Sequence, residues 1–421
     1  AYLAGLLNLR AQSSTFQEVR DRATSIVQER AIPTTREESW RFTDLSALLS
    51  IQFRTVQDAA TLSFPQLEAY LLPEAMNSRL VFVDGVFAPD LSAIDNLPEG
   101  VMVGNLVAGA ELIPAVREHL ATQQGAEEVF TALNTASFVD GAIVYVPKNQ
   151  DVETPIHLLF VSTSGETPIL SHPRVLVVAE TGSRVTLIED YVNLNEGVYF
   201  ANPVTEIALG ENAEVRHTRV QRDSNQAFHI GKTAVSQARD SRYSCVAVHL
   251  GAKVSRHHLE VYQTGEQTDT KMIGLTVLDS DRLGDTHSLL SLSKPYGTSD
   301  QVNKTIISDR AHAVFNGRVW VPQAAQQTDA AQLSRNLLLS PKARIDTKPQ
   351  LEIVADNVKC SHGATVSQLE DDEVFYLQSR GIPADDARKL LTYAFAIEVI
   401  DQIPVASLRD RLANLIRTQN A

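Results

Sequence analysis

Cysteine is scarce in this chain: Cys245 and Cys360 are the two in 421 residues. So few thiols argue against a disulfide-stapled secreted scaffold and fit a reducing compartment. Net positive charge is missing as well. A formal charge of −14 argues against nucleic acid and against anionic membrane surfaces as partners. No apolar run approaches the length of a membrane span. The opening AYLAGLLNLR lacks the basic start and long apolar centre of a signal peptide. It begins at Ala1 rather than methionine, so a trimmed start or a removed transit peptide stays open. The expected compartment is the cytoplasm, or the plastid stroma if a transit peptide has been removed.

Catalytic signatures are absent too. There is no serine-centred nucleophile elbow, no HExxH helix and no dinucleotide glycine fingerprint. Gly231-Lys232-Thr233 resembles the end of a phosphate-binding loop, but Gln226 stands where that motif needs its first glycine. The residues that follow, AVSQARDSRYSCVAV, read as strand where the motif needs a helix. No nucleotide is therefore expected on this chain. Asp346, Glu352 and Asp356 could be the acids of a β-helix enzyme acting on polysaccharide, but they equally suit solvent-facing strand and turn positions. Neither a secretory signal nor a set of paired carboxylates accompanies them, and the chain is expected not to be an enzyme.

With 43% hydrophobic residues the chain can bury a large core, and its length allows two or three domains. Residues 14–30 read as an amphipathic helix: Ser14 can cap it, Phe16, Val19, Ala23 and Val27 recur at helical spacing, and Pro33 follows. A second helix is expected over 43–50, with Thr43 as cap. Residues 64–77, punctuated by Pro65 and Pro73, are ambiguous. From about residue 79 the period changes to short β-rich runs such as LVFVDGVF, AIVYVP and IHLLFVS. An apolar run, a turn and a new alternating run then recur at 177–188, 207–220, 236–248, 306–319 and 338–351. The interval is roughly 30 residues where consecutive copies are visible, which calls for stacked coils sharing one core, a β-solenoid. An irregular β-sandwich is the alternative.

Beyond Leu369 the pattern is helical again. Glu370, Asp371, Asp372 and Glu373 suit a helix N-terminus, Gly381 suits a C-cap, and further helices are expected over 384–400 and 407–417. The expected organisation is a helical region 1–78, a β core 79–368 and a helical tail 369–421. The tail has more apolar surface than it can bury alone. Leu390, Leu391, Ala394, Phe395 and Ile397 are either packed on the solenoid end or offered to a partner.

The densest chemistry lies in 346–366, DTKPQLEIVADNVKCSHGATV. Cys360 and His362 are two residues apart, so on a strand they share a face. A thiolate and an imidazole suit iron or zinc, but they make half of a tetrahedral site. An ordinary free cysteine and a hydrogen-bonding histidine would read the same way. His257 and His258 are expected at the surface or in a turn. His217, His249 and His312 are expected as satisfied core or surface groups, and Cys245 as a small apolar core residue.

Residues 315–321 (FNGRVWV), 328–339 (TDAAQLSRNLLL), 346–366 and 375–382 (FYLQSRGI) resemble the C-terminal core of the SufB/SufD family, scaffold subunits of the Suf iron–sulfur cluster assembly machine. Glu38-Ser39-Trp40-Arg41-Phe42-Thr43-Asp44-Leu45 is similar to the Trp-Arg-Tyr-Thr type of SufD N-terminus, and Leu391-Thr392-Tyr393-Ala394-Phe395-Ala396 to the SufD C-terminal helix. Ser367 departs from the glycine usual after the HGAT run. The resemblance implies a right-handed parallel β-helix between helical ends. It implies pairing with SufB, and a transient iron–sulfur cluster or iron at that interface, to which His362 and Cys360 contribute. It implies docking of the SufC ATPase by the tail, with Leu390, Leu391, Ala394, Phe395 and Ile397 in the contact. An isolated chain could also form a homodimer. A SufB-type subunit is the near alternative, although two cysteines are few for it.

Overall fold

The structure, a computed structural model, describes residues 2–10 and 15–419. Two stacked parallel sheets carry it. One is built from Asp151–Ser162, Arg184–Asn193, Glu214–Arg222, Arg242–His249, Asp269–Leu278, Thr298–Ile307, Asp329–Leu338 and Lys359–Ser367, in that spatial order. The other runs Ala142–Val146, Arg174–Ala179, Val204–Leu209, Phe228–Gln237, Val254–Gln263, Leu283–Ser291, His312–Val321 and Arg344–Ile353. The chain passes from one sheet to the other and back, giving a parallel β-solenoid of about eight turns. The repeat read from the sequence reflects this coil, but its copies mark one corner at 177–188, 207–220 and 236–248 and the opposite corner at 306–319 and 338–351.

The corners explain why the repeat is loose in sequence yet regular in space. Asn149, Gly182, Asn212, Asp240, Gln267, Tyr296 and Gln327 each have positive φ, and each stands two residues before a strand of the first sheet. The amide of each donates to a carbonyl in the corner of the next coil, at 2.7–3.1 Å. What recurs is a left-handed backbone conformation and its hydrogen bond. Gly, Asn and Asp adopt it readily, whereas Gln and Tyr are held there against their preference.

The two ends of the solenoid differ. At the first end, Ser78–Val83 adds to the first sheet and turns through Asp84 and Gly85, with φ of 51° and 86°, into the antiparallel Val86–Phe87. Positive φ at both central residues is the turn an Asp-Gly hairpin prefers. Met102–Asn105 closes the second sheet, antiparallel to Ala142–Val146. At the last end, Arg344–Ile353 pairs with His312–Val321 and Lys359–Ser367 with Asp329–Leu338, and among the described residues nothing pairs their outer edges.

Several local expectations need correction. Thr43 is not a helix cap: the short helix is Ser46–Leu49, preceded by Leu45, and the buried Thr43 hydroxyl donates to Asp285 Oδ2. The ambiguous 64–77 stretch holds a helix turn at Phe64–Leu67 and a 3₁₀ turn at Pro73–Ala75. The helix expected over 14–30 is Gln17–Glu29, and the proposed cap Ser14 lies outside the described residues. The β region is interrupted by helices Leu106–Leu112, Pro114–His119 and Val129–Ser137. The last of these is buried at every position, so it has no polar face to reveal a helical period. Its start is set by Glu128, whose carboxylate accepts from the Phe130 and Thr131 amides at 3.1 and 2.9 Å.

The tail folds as Asp371–Ser379, Ala384–Ile400 and Ala406–Gln419. Gly381, at φ 87°, ends the first helix as expected. The tail does not pack on the solenoid end. Ala396, Val399, Ile400, Leu408 and Leu412 are buried against Val246, Val248, Ile273, Leu275 and Val277 on the outer face of the first sheet. That face is apolar because this helical layer covers it.

Replacing Tyr296, whose side chain is 53% exposed, with glycine should leave stability unchanged or raise it by up to about 1 kcal/mol, because the corner conformation costs an L-residue more than glycine. Urea unfolding measures this, and a clear loss would show that the side chain itself holds the corner.

Candidate functional site at the open end of the solenoid

Strand alternation sets the geometry of the last coil. Ala330, Gln332, Ser334 and Asn336 are buried on the inner face of Asp329–Leu338. Their register partners on Lys359–Ser367 are Cys360, His362, Ala364 and Val366. Cys360 accordingly packs on the interior core, half-buried, and His362 sits beside it on the same face, exposed because no further coil covers it. The pair expected from the sequence thus lies at the mouth of the solenoid. Burial, with a smaller push from Asp329, moves the Cys360 thiol up. Among the described residues no group of three or more His, Cys, Asp or Glu is placed to hold a metal ion. Cys360 and His362 are donor types that suit iron or zinc, and a tetrahedral site built on them would need two further ligands from elsewhere.

His362 ends a continuous inner column. Leu187, His217, Cys245, Met272, Gln301, Gln332 and His362 are register partners in successive coils. Gln332 Nε2 donates to Gln301 Oε1 at 2.8 Å, and Gln301 Nε2 to Ser288 Oγ at 2.7 Å. Deeper in, the column meets buried charge. His217 Nε2 lies 3.3 Å from Glu189 Oε2, and Arg219 Nε lies 3.5 Å from Glu189 Oε1. The Tyr191 and Thr205 hydroxyls donate to the same carboxylate. Burial would raise Glu189, but His217 and Arg219 outweigh it and hold it down to about 2. Burial would depress His217, but the Cys245 sulfur and Glu189 push it up to about 9. Cys245 is therefore buried as expected, yet it stands 3.9 Å from His217 Nδ1 rather than in wholly apolar surroundings.

The other candidates separate. His257 and His258 belong to the strand Val254–Gln263 and not to a turn. His257 is buried in the interior, 5.5 Å ring to ring from His249, and His258 faces outward beneath the N-terminal segment. His312 is satisfied by Asp346, at 2.7 Å. That contact also engages one of the three carboxylates considered as acids. Glu352 pairs with Arg318 at 2.6 Å, and Asp356 accepts from Gln323 at 3.0 Å. Gly231-Lys232-Thr233 lies within the strand Phe228–Gln237, as its flanking pattern indicates.

The five apolar tail residues divide as well. Phe395 and Ile397 pack toward the solenoid, Leu391 is half-buried, and Leu390 and Ala394 are exposed. Lys304 donates to the Phe395 carbonyl at 3.0 Å, pairs with Glu398 and lies 4.5 Å from the Phe395 ring centre. Arg335 reaches the same Glu398 at 3.5 Å. Phe395 thus helps to fasten the tail. The outward apolar surface of the first two tail helices is Phe375, Tyr376 and Leu390, at 69, 57 and 46% exposure. Phe375 and Tyr376 stood in a family-like run, FYLQSRGI, but pattern alone did not separate surface from core there.

The fold is thus a parallel solenoid, flanked by helices, with a cysteine–histidine pair at its open end. Residues 160–395 match the SufBD core domain of the SUF system for FeS cluster assembly, and residues 7–158 the SufBD N-terminal region. The chain belongs to the SufBD family of iron–sulfur cluster assembly proteins. It is 47% identical to an iron–sulfur cluster assembly SufBD family protein of Synechocystis over 417 residues, covering 96% of this chain and 91% of that one. It is 35% identical to the chloroplastic protein ABCI7 of Arabidopsis thaliana, covering 97% and 86%. With the iron–sulfur cluster assembly protein SufD of Escherichia coli it shares 33% identity, covering 90% and 88%. No described helix is long and apolar enough to cross a membrane.

The buried histidines define a pH response. Burial holds His249, His257 and His258 well below the ordinary imidazole value and brings His172 down to about 4. Unfolded, these rings take up protons near pH 6.5, so the stability they lend exists above that pH and is lost as pH falls toward 4. His217, raised to about 9, works oppositely: its contribution is present below pH 6.5 and is lost as pH rises through 9. The urea midpoint should fall from pH 7 to pH 5, and less steeply from pH 7 to pH 9. A midpoint that rises on acidification would mean that these rings are charged inside the fold.

Proposed function

We propose that this chain is a non-catalytic, SufD-type scaffold subunit of the Suf machine. It pairs with a SufB-type solenoid through its open end and holds a nascent iron–sulfur cluster, or iron, as cargo between the two. The observation that carries this reading is the coincidence of two features in the last coil. Its strand edges have no partner among the described residues, so a related solenoid can add to them. The same coil presents Cys360 and His362, half of a ligand set that a partner would complete. Alone, the same edges could pair with a second copy. The chain binds no nucleotide itself; ATP is used by the SufC subunit. The compartment is the cytoplasm, or the plastid stroma where a transit peptide has been removed, and the chloroplastic relative supports the second.

The tail supplies the SufC contact in this reading. Phe375, Tyr376 and Leu390 form an exposed apolar group on its first two helices, and the helix Ala384–Ile400 is tied through Glu398 to Lys304 and Arg335. Arg335 belongs to the strand that pairs with the terminal strand Lys359–Ser367, so motion of SufC has a short mechanical route to the mouth. Deleting the tail would uncover the apolar flank of the first sheet, so point variants are the sound test. Phe375→Ser combined with Leu390→Ser should weaken SufC binding by about tenfold or more while leaving SufB pairing intact. Calorimetry reads the first effect and gel filtration the second. Unchanged SufC affinity would move the docking surface elsewhere.

His362→Ala should reduce cluster build-up on the SufB-containing complex without unfolding the chain, and Cys360→Ala should have a similar or smaller effect. Anaerobic reconstitution, followed by absorbance and iron content, is the measurement. Full cluster yield on an intact His362→Ala complex would return the pair to a structural role.

A further inference from the structure

Gln332 is buried, 2% exposed, on the inner face of the strand next to His362. Its two amide atoms are treated differently. Nε2 is spent on Gln301, which is itself anchored on Ser288. Oε1 is buried and has no hydrogen-bond partner. Leaving a buried acceptor unmet costs about 1–3 kcal/mol, so a fold that keeps one has a reason to look for a donor nearby. His362 is the register partner of Gln332 and projects from the same face. Its ring is exposed at the mouth, one strand away from that amide.

A glycine leaves room for the amide. A Cβ on Gly317, across the interior, would stand 2.3 Å from Gln332 Nε2 and 2.8 Å from the Phe315 ring. Any larger residue there would push the amide aside. Gly317 lies within the FNGRVWV run, where a side-chain-free position in a strand otherwise has no evident use.

We propose that Gln332 is a positioning residue for His362. When the mouth takes up a metal ion, Oε1 accepts the ring N–H of His362, which fixes the ring's rotation and leaves the other nitrogen's lone pair free for the metal. This is the outer-shell partner that metal-bound histidines ordinarily have, here a carboxamide drawn from the neighbouring coil. The inference rests on the reading of His362 as a ligand.

Cobalt(II), a spectroscopic stand-in for iron(II), tests it by titration of the full chain assembled with its SufB-type partner. His362→Ala should weaken binding. Gln332→Leu should weaken it about 10–100-fold, and Gly317→Ala should act in the same direction by displacing the amide. Gln332→Glu, which keeps an acceptor at the same reach, should stay within a few fold of the natural chain. In the His362→Ala background, Gln332→Leu should add nothing, because its effect passes through the ring. If Gln332→Leu and Gly317→Ala leave cobalt affinity unchanged while His362→Ala lowers it, the positioning role is wrong and the ligand role stands. If Gln332→Leu weakens binding equally with and without His362, its role is structural only and the inference fails. If His362→Ala itself has no effect, the ligand reading fails and the inference falls with it.

Discussion

The whole molecule depends on the parallel hydrogen-bond ladder between successive coils. Parallel strands cannot be joined by a tight hairpin, and here consecutive strands lie in opposite sheets, so each coil waits for the next one to satisfy its amides and carbonyls. The same holds at the corners, where the left-handed residues from Asn149 to Gln327 donate to the coil above. A ladder of this kind has no internal reason to stop. Its ends must be closed by something else, and here they are treated in opposite ways. The first end is finished by antiparallel strands, including the Asp84–Gly85 hairpin. Among the described residues the last coil is left with two unpaired edges, and Cys360 and His362 are placed there.

A solenoid interior would normally be filled with stacked aliphatic side chains, and the early coils follow this with Val185, Leu187, Val215 and Val235. The column that begins at Leu187 becomes polar as it advances through His217, Cys245, Gln301 and Gln332. Burying these groups is tolerable because the ladder aligns them. Residues in register on adjacent strands are close enough to satisfy one another, as Gln332 does with Gln301. Glu189 shows the same logic with charge: His217, Arg219, Tyr191 and Thr205 converge on one carboxylate from several coils. A lone Glu or His at any of these positions would cost several kcal/mol on the order expected for unpaired buried charge.

The parts of this architecture that could be read from the sequence were those with a period. Alternation and the roughly 30-residue recurrence gave the coils, and Gly381 with the acidic run at 370–373 gave the first tail helix. Cys360 and His362 were placed on one face by their spacing alone. Signals without a period were missed. Val129–Ser137 is apolar all round and looks like neither an amphipathic helix nor a strand. Thr43 reads as a cap because Ser and Thr usually are, but Asp285, distant in sequence, claims its hydroxyl. His257 and His258 looked like surface groups because adjacent histidines cannot both enter a core, and indeed only His257 enters it; the outward His258 is covered by a segment from the other end of the chain. The free oxygen of Gln332 has no sequence signal at all, since it depends on which way a neighbouring amide is turned.

The tail makes the open end consequential. Its apolar face is consumed by the first sheet, through Val399, Ile400, Leu408 and Leu412. It therefore cannot swing as a loose appendage, and force on it is delivered to the sheet. The polar fastening sits near one end of that sheet. Lys304 and Arg335 come from the third- and second-last strands of the sheet that ends in Lys359–Ser367, and both meet at Glu398. Burial lowers Lys304, and its contact with Glu398 opposes that loss, so the ammonium is best kept charged while the tail helix is seated. A shift of this helix would act first on the strands that carry Lys304 and Arg335, the two that precede the terminal strand of the sheet. Cys360 and His362 lie on the strand paired with the one that carries Arg335, so this fastening reaches within one strand of the mouth.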